Sequence, residues 1–144
     1  MKTILSHSEE QTRQVGYSFG KQLNVNSVVY FLGELGVGKT TFIKGLVEGV
    51  SGFDPEQVNS PTFVYLNVYP GTLTVYHFDL YRMRDSDEFL GMGFEEYFER
   101  EGVCCIEWSE RIAELLPSHA LAVTMTHAGQ NRRKIQFSEG QCRG

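Results

Sequence analysis

Gly33, Gly38, Lys39 and Thr40 fill every fixed position of G-x-x-x-x-G-K-[ST] within "GELGVGKTTF" (33–42). At average residue frequencies, a chain of this length meets that pattern by chance in about 0.5% of cases. The spacing is therefore informative, and each residue type has its own reason. Glycines let the main chain turn and approach a ligand where a Cβ would intrude. Amides of the loop and of the following helix turn direct partial positive charge at an anion. Lys39 would add a full charge over the β- and γ-phosphates, and the Thr40 hydroxyl would coordinate Mg2+. Gly33, Glu34, Leu35, Gly36, Val37, Gly38, Lys39, Thr40 and Thr41 thus form a candidate nucleotide-binding loop.

Such a loop needs a carboxylate at the tip of a neighbouring strand. Asp79 ends "TVYHFD" and Glu107 ends "VCCIE". Ligands of open α/β sheets gather at the carboxyl ends of strands, so both acids qualify. The residues alone leave open which one holds the metal and which orients an attacking water. In "NSPTF" (59–63), Pro61 restricts Ser60 to an extended conformation and presents the Thr62 hydroxyl. A threonine so placed can sense a γ-phosphate, as switch loops do. His77 lies between Tyr76 and Phe78 and reads as structural, and Trp108 reads as core. Arg132 or Arg133 either stacks on a base or decorates a solvated hairpin tip.

The elements that position these groups follow from periodicity. Ser8 and Gln11 form a capping box, and Val15, Phe19 and Leu23 recur at helical spacing, which predicts a helix over 9–23. "SVVYFL" (27–32) predicts a buried strand, and Thr40 to Val50 a helix. Residues 51–61 predict a loop, and "TFVYLNVY" and "LTVYHFDL" a hairpin around Pro70–Gly71. Residues 86–100 predict a helix interrupted by Gly91 and Gly93, with an acidic solvated face. "VCCIEW" (103–108) predicts a strand, and "SERIAELLP" a helix capped by Ser109. "ALAVTMTH" and "RKIQFS" predict a closing hairpin around "AGQN". The alternation gives one domain over 1–144, an α/β three-layer P-loop-like fold. Its central sheet is mixed and largely parallel, with antiparallel hairpin additions.

Composition narrows the function. A net charge of −5 provides no surplus of cations for gripping nucleic acid through its phosphates. Cys104, Cys105 and Cys142 make a poor disulfide framework and suggest a reducing, cytoplasmic setting. No apolar run approaches the roughly 20 residues that cross a bilayer. The N-terminal segment lacks the pattern of a signal peptide.

Taken in order, "GELGVGKTTF", "SPTF", "HFDLYR", "LGMGFEEYF" and "IEWSER" resemble the TsaE family of small bacterial ATPases, over nearly the whole chain. The resemblance implies ATP hydrolysis in the synthesis of tRNA threonylcarbamoyladenosine. It also implies a TsaB–TsaD heterodimer as partner, which modifies adenosine 37 of ANN-decoding tRNAs and is reset by hydrolysis. The tRNA would then be met only through the complex. Carried onto this chain, the resemblance makes Thr40 and Glu107 the Mg2+ ligands. It gives Asp79 the Walker B-like role and Thr62 the switch-like one, with Lys39 and Trp108 beside the ATP or ADP. Ser8, Thr12 and an arginine of "NRRK" would flank the adenine. One departure is "WSE" where many relatives read "WPE".

Three other readings compete. A GTPase lacks support, because no N/T-K-x-D segment is present and no D-x-x-G begins at Asp79. A small-molecule kinase would want a lid rich in arginine, yet the candidate insert 83–101 holds only Arg84 and Arg100. A nucleotide-gated binding module would use the same loop with hydrolysis incidental. Titration calorimetry should show tighter binding of ATP than of GTP, and the reverse order would restore the GTPase reading.

Overall fold

Strand β2 (Val28–Leu32) feeds the glycine-rich loop, and helix α2 (Lys39–Ser51) leaves it. The structure is a computed structural model and describes residues 2–34 and 36–139. Around that junction stand β1 (Lys2–Ser6), α1 (Glu9–Lys21), β3 (Leu66–Tyr69) and β4 (Val75–Asp79). They are followed by α3 (Ser86–Gly91), β5 (Val103–Glu107), β6 (Leu121–His127) and β7 (Arg133–Glu139). The seven strands form one sheet in the order β1-β7-β6-β2-β5-β4-β3. β6, β2, β5 and β4 run parallel at the centre. β3, β7 and β1 add antiparallel pairings at the two edges.

Alternation along the central strands builds a core on each face. Val29, Phe31 and Cys105 pack with Phe42, Ile43, Leu46 and Val47 of α2. Val28, Tyr30 and Cys104 pack on the other face with Phe78, Phe89, Phe94 and Ile112. Helices and 3-10 turns cover both faces of a mostly apolar sheet, which makes three layers. Burial pushes the Cys104 thiol up to about 12 and that of Cys105 well above its ordinary value, which disfavours the thiolate form of both.

Helices α1 and α2 touch main chain to main chain. A Cβ built on Gly45 would lie 1.9 Å from the carbonyl oxygen of Arg13, and one on Gly16 would lie 2.2 Å from that of Phe42. Gly20 and Gly49 face the opposite backbone in the same way, at 2.5 and 2.4 Å. Both helices therefore carry glycines four apart on the shared face. This contact draws the N-terminus of α1 against the start of α2.

Four local expectations need correction. β1 was not anticipated. It is an edge strand whose residues are mostly exposed, so it lacks an apolar run, and it forms by pairing with β7. The hairpin strand expected from Thr62 begins only at Leu66. Residues 62–65 turn back on Pro61, whose carbonyl accepts from Tyr65 N–H at 2.8 Å, and Tyr65 takes φ 71°. Segment 51–61 is not all loop, since Pro55–Gln57 forms a 3-10 turn capped by Asp54. Segment Ser109–Leu115 is not an α-helix capped by Ser109. It is a kinked 3-10 stretch that Trp108 enters with φ 62°, and it breaks helical geometry at the fully buried Ile112.

Gly45→Ala should destabilise the protein. Overpacking costs about 1–3 kcal/mol, against up to about 1 kcal/mol gained in helix propensity. Each net kcal/mol lowers Tm by roughly 2–4 °C in a chain of this size. Gly91→Ala meets nothing within 4 Å and should leave the melting curve within about 1 °C of wild type. Equal melting of the two variants would contradict the close helix contact.

Candidate functional site

The two helices that meet near the loop begin in opposite ways. α1 is capped by Ser8, whose Oγ accepts from the Gln11 N–H at 3.1 Å, and Glu9 and Glu10 fill its first turn. α2 starts after Gly38 at φ 102°, with no side-chain cap and no acid in its first turn. Its leading N–H groups and the positive end of its dipole are therefore left unanswered by side chains. A Cβ on Gly33, at φ 143°, would stand 2.4 Å from the carbonyl oxygen of Met125, so the strand-to-loop exit needs glycine there. Leu35 lies outside the described residues.

Lys39, nearly buried at 8% exposure, donates from Nζ to the Gly33 carbonyl oxygen at 2.9 Å, across the mouth of the loop. The same ammonium lies 5.4 Å from the Trp108 ring, and Trp108 packs on Tyr81. Arg133 reaches over from β7 and donates from Nε to the Val37 carbonyl oxygen at 2.9 Å. It fixes the loop from the side opposite the acids.

Asp79 and Glu107 are register partners at the carboxyl ends of parallel β4 and β5, and both are buried. The Ser60 hydroxyl lies 2.7 Å from Asp79 Oδ2 and 3.2 Å from Glu107 Oε2. Thr62 Oγ1 donates to the same Asp79 oxygen at 3.1 Å, and Tyr81 N–H donates to Asp79 Oδ1 at 3.0 Å. His77, wholly buried behind them, bonds through Nε2 to Glu107 Oε2 at 2.7 Å.

One open depression of 580 Å3 is lined by Gly36, Gly38, Lys39, Thr40 and Thr41 together with Glu9, Ser60, Thr62, Asp79, Tyr81, Glu107 and Trp108. A second depression, of 340 Å3, shares Gly36, Gly38 and Thr41 with it and extends to Ser8, Thr12 and Arg133. Arg132 sits exposed at the tip of the β6–β7 turn and does not line it. Thr12 is committed inward, its hydroxyl 2.6 Å from that of Ser6. A larger depression of 640 Å3 elsewhere along α1 and α2 is lined by Glu9, Glu10, Glu48 and Glu56 with Arg13 and Lys44.

The structure thus brings the loop, Lys39, Thr40, Thr62, Asp79, Glu107 and Trp108 to one place. The residue pattern alone does not mark Ser60, although it lies in the 59–63 loop beside Thr62, and it makes His77 structural. The available signal was period two, because His77 and Asp79 share a face of β4. Ser60→Ala removes a hydroxyl donated to carboxylates and should cost about 1–2 kcal/mol. That is a Tm loss of roughly 2–8 °C in a thermal melt. An unchanged Tm would mean that water replaces the hydroxyl fully.

Comparison with known proteins bears on this geometry. The family model described as threonylcarbamoyl adenosine biosynthesis protein TsaE matches residues 6–135. The chain is 39% identical over 131 residues to the tRNA threonylcarbamoyladenosine biosynthesis protein TsaE of Treponema pallidum, covering 91% of this chain and 96% of that one. It is 40% identical over 130 residues to the protein of the same name from Bacillus subtilis, covering 90% of this chain and 80% of the relative. The crystal structure of Bacillus subtilis YdiB superposes with a TM-score of 0.80 at 32% identity, over 99% of this chain and 87% of that one. With a family model matching residues 6–135 and relatives 39% and 40% identical over about nine-tenths of its length, the chain belongs to the TsaE family.

Proposed function

We propose that this chain is a Mg2+-dependent ATPase serving the threonylcarbamoylation of adenosine 37 in ANN-decoding tRNAs. It would bind a TsaB–TsaD heterodimer and reset it between turnovers. The observation that carries the ATPase reading is the bare N-terminus of α2, facing two buried carboxylates across one depression. A helix start stripped of side-chain caps is suited to an anion. Paired acids opposite it are suited to the cation that accompanies a triphosphate. The tRNA process comes from the names of the relatives, and the acidic net charge suits contact with proteins more than with RNA.

The donor set fits magnesium. Thr40 and Glu107 offer oxygen, and Mg2+ needs only one or two carboxylates when phosphates and waters complete its shell. Among the described residues no cluster of three or more His, Cys, Asp or Glu forms an all-protein cage. When bound, Mg2+ supplies neutralisation of charge on the β- and γ-phosphoryl oxygens. Gly36 to Thr41 would hold the phosphates by main-chain N–H groups, with Lys39 exchanging its Gly33 contact for a phosphate oxygen. Ser8, Thr12 and Arg133 would flank the adenine in the adjoining depression. Asp79 would orient the attacking water. Ser60 and Thr62 both donate to it, so the 59–63 loop is coupled to whatever occupies the space beside that carboxylate. Among the described residues no helix is long and apolar enough to cross a membrane. The free thiols of Cys104 and Cys105 suit a reducing compartment, and we assign the work to the cytoplasm.

ADP with Mg2+ at about 100 times its Kd should stabilise the wild-type chain by about 2.7 kcal/mol. The corresponding rise in Tm is roughly 5–10 °C. Lys39→Ala should lose that rise, together with ATP turnover and repeated tRNA modification in a reconstituted reaction with the partner pair. A Lys39→Ala protein that keeps all three would end the ATPase assignment.

A further inference from the structure

A carboxylate that serves a cation must offer a particular oxygen, and something behind it must hold the other. Glu107 is arranged in that way. Its Oε2 lies 2.7 Å from His77 Nε2 and 3.2 Å from the Ser60 hydroxyl. No protein donor is recorded at Oε1 among the described residues, and Glu107 lines the 580 Å3 depression with Thr40. A carboxylate oxygen only accepts, so Nε2 is the donor.

The imidazole is expensive where it sits. It is 0% exposed, and its Nδ1 has no hydrogen-bond partner in the structure. Its neighbours include the Tyr69 ring, 6.2 Å away, and its register partners Cys105 and Asn67, none of which bonds Nδ1. An aliphatic side chain at this strand position would pack without that orphaned atom. What the histidine adds is one short bond to Glu107.

We propose that His77 is a positioning residue. It fixes the Glu107 carboxylate through Oε2 so that Oε1 is presented to the divalent cation of the nucleotide complex. This rests on the Mg2+–nucleotide reading above. Partners behind a ligating side chain typically govern about 10–100-fold in metal affinity. Nucleotide phosphates held by the loop amides and Lys39 make no call on His77.

The test measures binding rather than turnover. Free Mn2+ is followed by electron paramagnetic resonance as it is titrated into protein saturated with ADP, and ADP affinity is measured separately in EDTA. His77→Ala should weaken Mn2+ uptake about tenfold or more while ADP affinity in EDTA stays within twofold of wild type. His77→Gln carries a side-chain amide N–H for the same oxygen and should recover part of the loss. Wild-type uptake by His77→Ala overturns the proposal, as does an equal loss of ADP affinity in EDTA, which would mark a merely structural role. A wild-type chain that takes up no Mn2+ with ADP removes the metal–nucleotide reading and this proposal with it. If both variants unfold, 15N NMR of the wild-type chain decides. Mg2+ added to the ADP complex should move the His77 Nε2 resonance, and an unmoved signal overturns the proposal.

Discussion

Two buried carboxylates on adjacent parallel strands are the constraint around which this molecule is organised. Asp79 and Glu107 are register partners at the carboxyl ends of β4 and β5, so the sheet itself sets their separation. Like charges held together in a protein interior repel and lose hydration. The structure answers with donors: Ser60 between the two, Thr62 and Tyr81 N–H on Asp79, and His77 on Glu107. Lys39 stands across the same depression as the nearby full positive charge. The proposed Mg2+, brought with its phosphates, would relieve this concentration of anionic groups.

The second requirement is that the positive wall be as fixed as the negative one. β2 lies between β5 and β6, so the loop leaving it emerges beside Glu107. α2 is locked to α1 by glycines that let the two backbones touch. Arg133 holds the Val37 carbonyl from β7. The left-handed Trp108 ends β5 abruptly and lays an indole under the Lys39 ammonium. A non-glycine residue in that conformation costs of order 1–3 kcal/mol. It persists here because the chain must turn away at once, leaving Glu107 at the rim.

Some of this was legible from residues alone. The Walker-type spacing, the buried β2 and β5 runs and the alternation of strands and helices reflect local rules of period and turn chemistry. They give the three-layer sheet and an acid at the end of each of two strands. Short or edge elements were not legible. β1 has no apolar signature because it is stabilised by hydrogen bonds to a strand 127 to 135 residues away, and Ser109–Leu115 abandons the helix its sequence favours to bury Ile112.

The sequence by itself determined that a glycine-rich loop with Lys39 and Thr40 follows a buried strand, and that Asp79 and Glu107 each end a strand, because those are properties of adjacent residues. Only the tertiary structure decided that Ser60 bridges the acids, that Arg133 rather than Arg132 reaches the loop, and that His77 backs Glu107. The physical reason is the same in each case. A hydrogen bond requires atoms within about 3 Å, and separations of 19 to 96 residues are closed only by sheet register and helix packing.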